Sequence, residues 1–493
     1  MTEGDVRSWL AARSDREIET SCAWVFLQGE RALKLKKPVD YGFLDFSTLE
    51  KRRWALEREL AFNRVTAPSI YRALHPITRA SGGELTLGGE GETVDFVLEM
   101  RAFDPAAVLA ERPDQVDGGL AERLGRTVAR FQAAAAINVD GGGVNALGFT
   151  IRTNAENLAP LKAALGIAEV EQVIEATDAA LAAVTLRLEL RRAMGFARHC
   201  HGDLHLGNIL LEDGAPVLFD CIEFNDLLSE IDVLYDVAFL IMDLGFRGRA
   251  EAANRVLNAY LDEAARTFRV ELWDGLEALP LMLSARASVR AHVSANQGEL
   301  GAARAYLATA ASHLRPSPPS LSAIGGLSGT GKTTLARRAA PLVGAAPGAV
   351  ILRTDEIRKR RAGLDPLERL PASAYGPETS AEVYAEMFAI ADRVLSAGHS
   401  VILDAVFLSP ADRMAAEAVA AELGVPFQGV WLEGQAAMLR ERLARRAGDA
   451  SDAGPEAVDE QSARDPGPIS WTRADAADPD ATIARIAPGA AQN

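Results

Sequence analysis

The stretch GLSGTGKT at residues 326–333 constrains this chain more than any other. It satisfies G-x-x-x-x-G-K-[ST] at every fixed position. Leu321 and Ile324 lie before it and Leu335 and Ala336 after it, the strand–loop–helix context of a phosphate-binding loop. Gly326, Gly329 and Gly331 let the backbone curl so that several N–H groups converge on one anion. The helix opening at Lys332 adds the positive end of its dipole. Lys332 is expected to reach the β- and γ-phosphates of ATP and the Thr333 hydroxyl to hold Mg²⁺, with Ser328, Thr330 and Thr334 completing the cradle.

At 493 residues the chain has room for roughly two to four domains. No run of about 18 or more uncharged apolar residues occurs, and the charged start MTEGDVRSWLAARSDREIE has no apolar signal core. A cytoplasmic protein without a membrane span is therefore expected. Three cysteines, Cys22, Cys200 and Cys221, are too few and too odd in number for a disulfide framework. The net charge of −16 argues against a nucleic-acid partner except through a local basic groove. Only seven of the 52 basic residues are lysines, and Lys34, Lys36 and Lys37 fall in one short segment.

That segment reads as a β-hairpin: apolar residues 23–27, a turn at 28–30, and a second strand at 31–36. Ala32, Lys34 and Lys36 share one face of the second strand, because side chains alternate. Small residue, gap, lysine resembles the Ala-x-Lys strand of protein kinases, and either Lys34 or Lys36 fits it. Residues 47–65 form a helical pattern whose Ser47 and Glu50 have capping-box spacing. Glu57 and Glu59 are candidate partners for the strand lysine, with Glu59 preferred. Strands follow at 85–87 and 94–100, and residues 99–101 would form a hinge at adenine. Helical patterns cover 116–134, 170–193, 233–244, 250–268 and 278–310.

One segment interrupts them. CHGDLHLGNILL at 200–211 carries Asp203 and Asn208 five residues apart, and APVLFDCIEF at 215–224 ends a strand at Asp220. Phosphoryl transfer from MgATP needs a carboxylate near the acceptor hydroxyl, an amide oxygen on Mg²⁺ and a carboxylate bridging Mg²⁺ to the phosphates. Asp203, Asn208 and Asp220 supply one each, in that order. H-G-D-x-H-x-x-N with an Asp a dozen residues on resembles the aminoglycoside/choline phosphotransferase branch of the protein-kinase-like fold. Asp232 and Asp236 resemble the aspartates that brace that family's catalytic loop. The chain departs from the pattern in one respect: no Gly-rich loop precedes the lysine strand. His199, Cys200, His201 and His205 suggest a metal cluster, but neighbouring strand residues point oppositely and no second Cys/His pair follows at zinc spacing.

RPSPPS at 315–320 is a short stiff linker. Beyond it strands at 321–324, 349–353, 400–403 and 426–432 alternate with helices at about 332–343, 355 onward, 380–397, 410–423 and 436–446, which implies a parallel sheet with helices on both faces. Asp355 and Arg358 follow the second strand, where substrates bind in open α/β sheets, and are read as a base for the acceptor hydroxyl and a substrate clamp. Asp404 ends an apolar strand, the place for a carboxylate of the Mg²⁺ shell. Arg442 and Arg446 lie four apart, spaced to close over ATP, with Arg446 stabilising the transferring phosphoryl group. Residues 448–470 read as a mobile loop, with Trp471 returning to the core.

Phosphate loop, D-x-x-R, strand-Asp and R-x-x-x-R together resemble the small P-loop kinases of hydroxyl groups: gluconate kinases, zeta-toxin-like kinases and phage-type polynucleotide kinases. The whole chain resembles bacterial proteins that fuse an aminoglycoside-phosphotransferase-like domain to a P-loop ATP-binding domain. The resemblance implies a protein-kinase-like domain over residues 1–315, with an N-lobe at 1–104 and a helical C-lobe at 105–315. A linker at 316–320, a three-layer α/β/α P-loop domain at 321–486 and a tail at 487–493 complete it. ATP and Mg²⁺ are the implied cofactors and a hydroxylated small molecule the implied acceptor. A regulatory ATP-binding protein and a nucleic-acid 5′-end kinase are the alternatives.

Overall fold

The structure, a computed structural model, describes residues 4–487 apart from Phe43 and Ala447; the expected tail lies outside the described residues beyond Ala487. The first sheet is antiparallel. Its strand order is Arg16–Glu19, Ala23–Gln28, Arg31–Lys36, Glu92–Arg101, Tyr71–Arg79, Leu85–Leu87. The hairpin stands as its alternation implies, with Gln28 opposite Arg31 and Gly29 at φ +57° in the turn. The first two strands are joined by residues 20–22, Thr-Ser-Cys, at the edge where kinases carry glycines. Helix Leu49–Thr66 packs on this sheet. Its cap is Thr48, whose hydroxyl accepts from the Lys51 N–H, while Ser47 donates to Asp45 at 2.6 Å. The Ser47–Glu50 capping box is thus displaced by one residue, because Asp45 holds the Ser47 hydroxyl.

The helical part differs from expectation in two places. Residues 278–310 form two helices, Leu279–Asn296 and Leu300–His313, because Gly298 takes φ +84° between them. Helix Gly143–Leu158 was not foreseen, because it opens from a run of glycines with no side-chain cap.

The second sheet is parallel throughout, in the order Val350–Arg353, Val401–Asp404, Leu321–Gly326, Phe427–Glu433, Thr472–Asp475. Its side chains alternate between two cores. Ile324, Ile402 and Val430 meet Leu335 and Ala339 of helix Lys332–Ala339 on one face. Ala323, Val401, Leu403 and Trp431 meet Val383, Met387 and Ile390 of helix Pro377–Ser396 on the other, together with Trp471. That second core does not stop at residues 316–320: it runs on into Leu272, Trp273, Leu276 and the buried helices of the first half.

The two halves also share hydrogen bonds. Val350–Arg353 is an edge strand, and helix Ala250–Ala264 covers its open side. Asn254 donates to the Ala349 carbonyl at 3.0 Å, and Asn258 accepts from the Ile351 N–H at 2.6 Å. An uncovered edge would leave these groups unpaired. Asn258→Ala in the full chain should therefore lower stability by about 1 kcal/mol in urea denaturation, the cost of leaving the part-buried Ile351 N–H without its partner; an unchanged midpoint would contradict this.

Candidate functional site

The candidate residues fall in two places, one in each half. In the first half, Lys34 Nζ lies 2.6 Å from Glu59 Oε1 and 2.9 Å from Asp220 Oδ1. Lys36 Nζ lies 2.7 Å from Glu59 Oε2 and 2.6 Å from Glu223 Oε1. Glu59, fully buried, therefore divides its two oxygens between both lysines. Of the two lysines Lys34 reaches Asp220, whereas Lys36 ties Glu223 to the same glutamate. Burial opposes the Lys34 ammonium, but Asp220 and Glu59 outweigh it and raise its pKa. Glu57 pairs with Arg53 on the surface instead.

Asp203 and Asn208 sit on the loop after strand Ala197–His199. Asn208 Nδ2 donates at 2.9 Å to both the carbonyl and Oδ2 of Asp203. A carbonyl only accepts, so the amide nitrogen must face it and Oδ1 is turned away, available to a cation. Asp236 braces the loop by accepting from the Gly202 N–H at 2.8 Å and the His201 N–H at 3.2 Å. Asp232 forms a two-pronged pair with buried Arg191. Asp220 holds φ +63°, a strained angle for a residue with a side chain, where its N–H donates to Tyr71 Oη at 3.2 Å. The histidines and cysteine each have separate partners: His199 with Glu230, His201 with the Phe219 carbonyl, Cys200 with the Ile231 carbonyl, His205 with Asp203. Met100, expected in a hinge, stands in strand Glu92–Arg101 opposite Ala32.

In the second half the glycines are sterically required. A Cβ on Gly326 would meet the Leu432 carbonyl at 2.5 Å, and one on Gly329 the Leu439 carbonyl at 2.7 Å, both at positive φ. Lys332 Nζ donates to the carbonyls of Gly326 and Leu327 at 2.9 and 3.0 Å. Burial lowers its pKa against the pull of Asp404 and Asp355. Thr333 Oγ1 donates to Asp404 Oδ2 at 2.6 Å, which joins a hydroxyl and a carboxylate of the kind that hold a hard cation. Gly329, Gly331, Lys332, Thr333, Thr334, Arg442 and Arg446 line a cleft of about 380 Å³. A larger cleft of about 700 Å³ adjoins it and is lined by Asp355, Arg358, Tyr375 and Tyr384. Ser328 and Ser451 line both. Burial raises the pKa of Asp355 against the pull of Arg353.

Four residues escaped the sequence reading. Buried Arg353 donates to Asp404 at 3.2 Å, Glu356 at 2.9 Å and Asp449 at 2.9 Å. Asp452 accepts from buried Lys359 at 3.1 Å and from the Leu370 N–H and Tyr375 hydroxyl at 2.9 Å. Gln461 binds the phosphate loop itself: Oε1 accepts from the Ser328 N–H at 2.8 Å, and Nε2 donates to Ser328 Oγ at 3.0 Å. Residues 448–470 are thus not a featureless loop, since helix Glu456–Ser462 docks through Val458 on Leu327, Leu439 and Leu443. Arg446 follows the end of helix Ala436–Arg445, outside the helical face predicted for it, and donates to the carbonyls of Ser451 and Ala453. The glycine- and aspartate-rich composition concealed the contacts of Asp449, Asp452 and Gln461 because each is made to a residue between 82 and 133 positions away.

Residues 52–279 match the family model described as phosphotransferase enzyme family, and residues 321–467 match an AAA domain. An uncharacterized protein of Mycobacterium tuberculosis is 32% identical over 462 residues, covering 90% of this chain and 89% of its own. Among solved structures, a gluconokinase from Sinorhizobium meliloti is 23% identical, covering 34% of this chain and 89% of its own, with a TM-score of 0.23. A choline kinase from Cryptosporidium parvum is 9% identical over 64% of this chain and 94% of its own, with a TM-score of 0.42.

The Asp203–His205 contact carries a testable pH dependence. Burial alone would raise Asp203, but His205 outweighs it and holds the carboxyl well below its usual range; burial would lower His205, but Asp203 raises it. The pairing therefore stabilises the fold fully below the ordinary histidine value, down to where Asp203 protonates, and is lost as pH rises through the raised value. His205→Asn should cost about 0.5–1 kcal/mol near pH 5.5 and less near pH 9, in keeping with a partly exposed pair. Urea midpoints at both pH values test this, and a pH-independent difference would contradict it.

Proposed function

The chain belongs to one family with this mycobacterial relative and joins a phosphotransferase-family domain to a P-loop AAA domain, and on that footing we propose that it transfers the γ-phosphoryl group of ATP to a hydroxyl of a small molecule, with Mg²⁺. Two kinase-type domains support phosphotransferase activity. The observation that carries the reading is the meeting of two clefts at Ser328 and Ser451, one lined by Lys332 and Thr333 and the other by Asp355. A donor phosphate and an acceptor hydroxyl need such adjoining compartments.

In the P-loop half Lys332 and the loop N–H groups bind the phosphates of ATP. Thr333 and Asp404 are the residues to hold Mg²⁺, which neutralises phosphate charge when bound. Asp355, with its raised pKa, accepts the acceptor proton. Arg358 is buried, its Nε has no hydrogen-bond partner among the described residues, and it lines the acceptor cleft as a clamp. In the first half Lys34 would orient phosphate oxygens, Asn208 and Asp220 would hold Mg²⁺, and Asp203, kept ionised by His205, would receive the acceptor proton. A second reading for that half, nucleotide binding without transfer, is favoured by the Thr20–Cys22 turn standing where kinases use glycines.

Because the halves share a core, the test uses the full chain. A panel of sugars, amino alcohols, aminoglycosides and nucleosides is offered with labelled ATP to the wild type, Asp203→Ala and Lys332→Ala. Each acceptor should be lost with one variant, falling about 10²–10⁴-fold. If neither variant reduces ATP turnover or acceptor labelling, the proposal fails. Within the P-loop half, Asp355→Asn should cut transfer about 10²-fold or more and leave ATP affinity within about threefold, the pattern of a proton acceptor; calorimetry beside kinetics separates the two, and a parallel loss of affinity would contradict the assignment.

A further inference from the structure

The arrangement of Gln461 over the phosphate loop restricts where the proton on Ser328 can point. The Ser328 backbone N–H can only donate, so the Gln461 atom 2.8 Å from it must be the amide oxygen. The other end of the amide is then the NH₂ group, which can only donate, and it lies 3.0 Å from Ser328 Oγ. Ser328 Oγ therefore acts as the acceptor in that bond, and its own proton is left to point elsewhere. Among the described residues no protein group takes that proton, although Ser328 is more than nine-tenths buried. Ser328 lines both the phosphate cleft and the acceptor cleft, and Gln461 lines the latter. The helix that carries Gln461 is held on the loop by Val458 packing against Leu327, so the amide is fixed from behind.

We propose that Ser328 is a catalytic hydrogen-bond donor of the P-loop centre, its hydroxyl aimed by Gln461 at an oxygen of the transferring phosphoryl group. The inference rests on the reading of this half as an ATP-dependent phosphotransferase and adds a residue pair to it. Ser328 gives up no proton. The acceptor oxygen passes its proton to Asp355 and bonds to the γ-phosphorus, the bond from that phosphorus to the β–γ bridging oxygen breaks, and ADP departs. The Ser328 hydroxyl donates to a γ-phosphoryl oxygen whose position shifts as transfer proceeds, and a fixed donor placed there stabilises the transferring group without reorganising. Gln461 is a positioning residue: it touches Ser328 and acts through it.

The experiment uses the full chain carrying Asp203→Ala, which silences the first half, with water as the phosphoryl acceptor. Release of labelled phosphate from ATP is followed in single turnovers, and ATP affinity is measured by calorimetry. Ser328→Ala should slow release about 10- to 100-fold, the range for one hydrogen bond to a charged group, with ATP affinity changed less than about threefold. Ser328→Thr, which keeps a hydroxyl, should recover most of the rate, a rescue that a merely structural role would not predict. Gln461→Ala should slow release to a similar degree, and the double variant should add less than about twofold more, because the two act as one unit. If Ser328→Ala leaves the rate unchanged while Lys332→Ala abolishes it, the donor role is wrong and the phosphotransferase reading stands. If Lys332→Ala itself leaves the rate unchanged, that reading fails and the donor role fails with it.

Discussion

A buried guanidinium organises the P-loop half. Arg353 is almost wholly removed from solvent and spends one donor group each on Asp404, Glu356 and Asp449. One buried guanidinium holding three carboxylates ties their positions to one another. One of them, Asp404, accepts from Thr333, and another, Asp449, lines the smaller cleft and opens the segment whose Asp452 and Gln461 line the larger one. Arg353 also ends the edge strand that Asn254 and Asn258 cover from the first half. The phosphate loop, the cleft wall and the junction between halves therefore depend on one strand.

The two centres meet the same chemical demand on different scaffolds. Lys34 lies between the carboxylates of Glu59 and Asp220 and Lys332 on two loop carbonyls, and each centre leaves one polar atom oriented without a protein partner among the described residues. The device is the same in both: an amide whose direction is forced by a neighbour that only donates or only accepts. Asn208 is turned by the Asp203 carbonyl, and Gln461 by the Ser328 N–H. Such orientation requires no charge, and it persists whichever protonation states surround it. The first centre differs in the grip it offers from above. Its Thr20–Cys22 turn is tied to Lys37 and Tyr41, whereas the P-loop half has glycines at positions where any side chain would strike a carbonyl.

Much of this was legible in the sequence because it is local. The phosphate loop is a contiguous motif with a strand before it and a helix after it. Period-two alternation gave the lysine hairpin, and the spacing of Asp203, Asn208 and Asp220 marked the candidate residues of the first half. What alternation could not decide was Lys34 against Lys36, since both face the same side; the distinction lies in Asp220 and Glu223, nearly two hundred residues away. Arg353, Asp449, Asp452 and Gln461 were hidden for the same reason. Residues 448–470 are rich in turn-forming types, and their order comes from long-range contacts to Arg353, Lys359 and Ser328 rather than from their own propensities. The Pro-rich stretch at 316–320 indicated two independent bodies, yet the apolar face of helix Pro377–Ser396 is buried in a core shared with the first half.

The central claim is that one chain carries two separate triphosphate cradles, one built around Lys34 and one around Lys332. Calorimetric titration of the full chain with ATP in the presence of Mg²⁺ tests it most directly by counting sites. Two equivalents per chain are predicted, falling to one in Lys34→Ala and to the other one in Lys332→Ala. A single equivalent that survives Lys332→Ala unchanged would contradict the account.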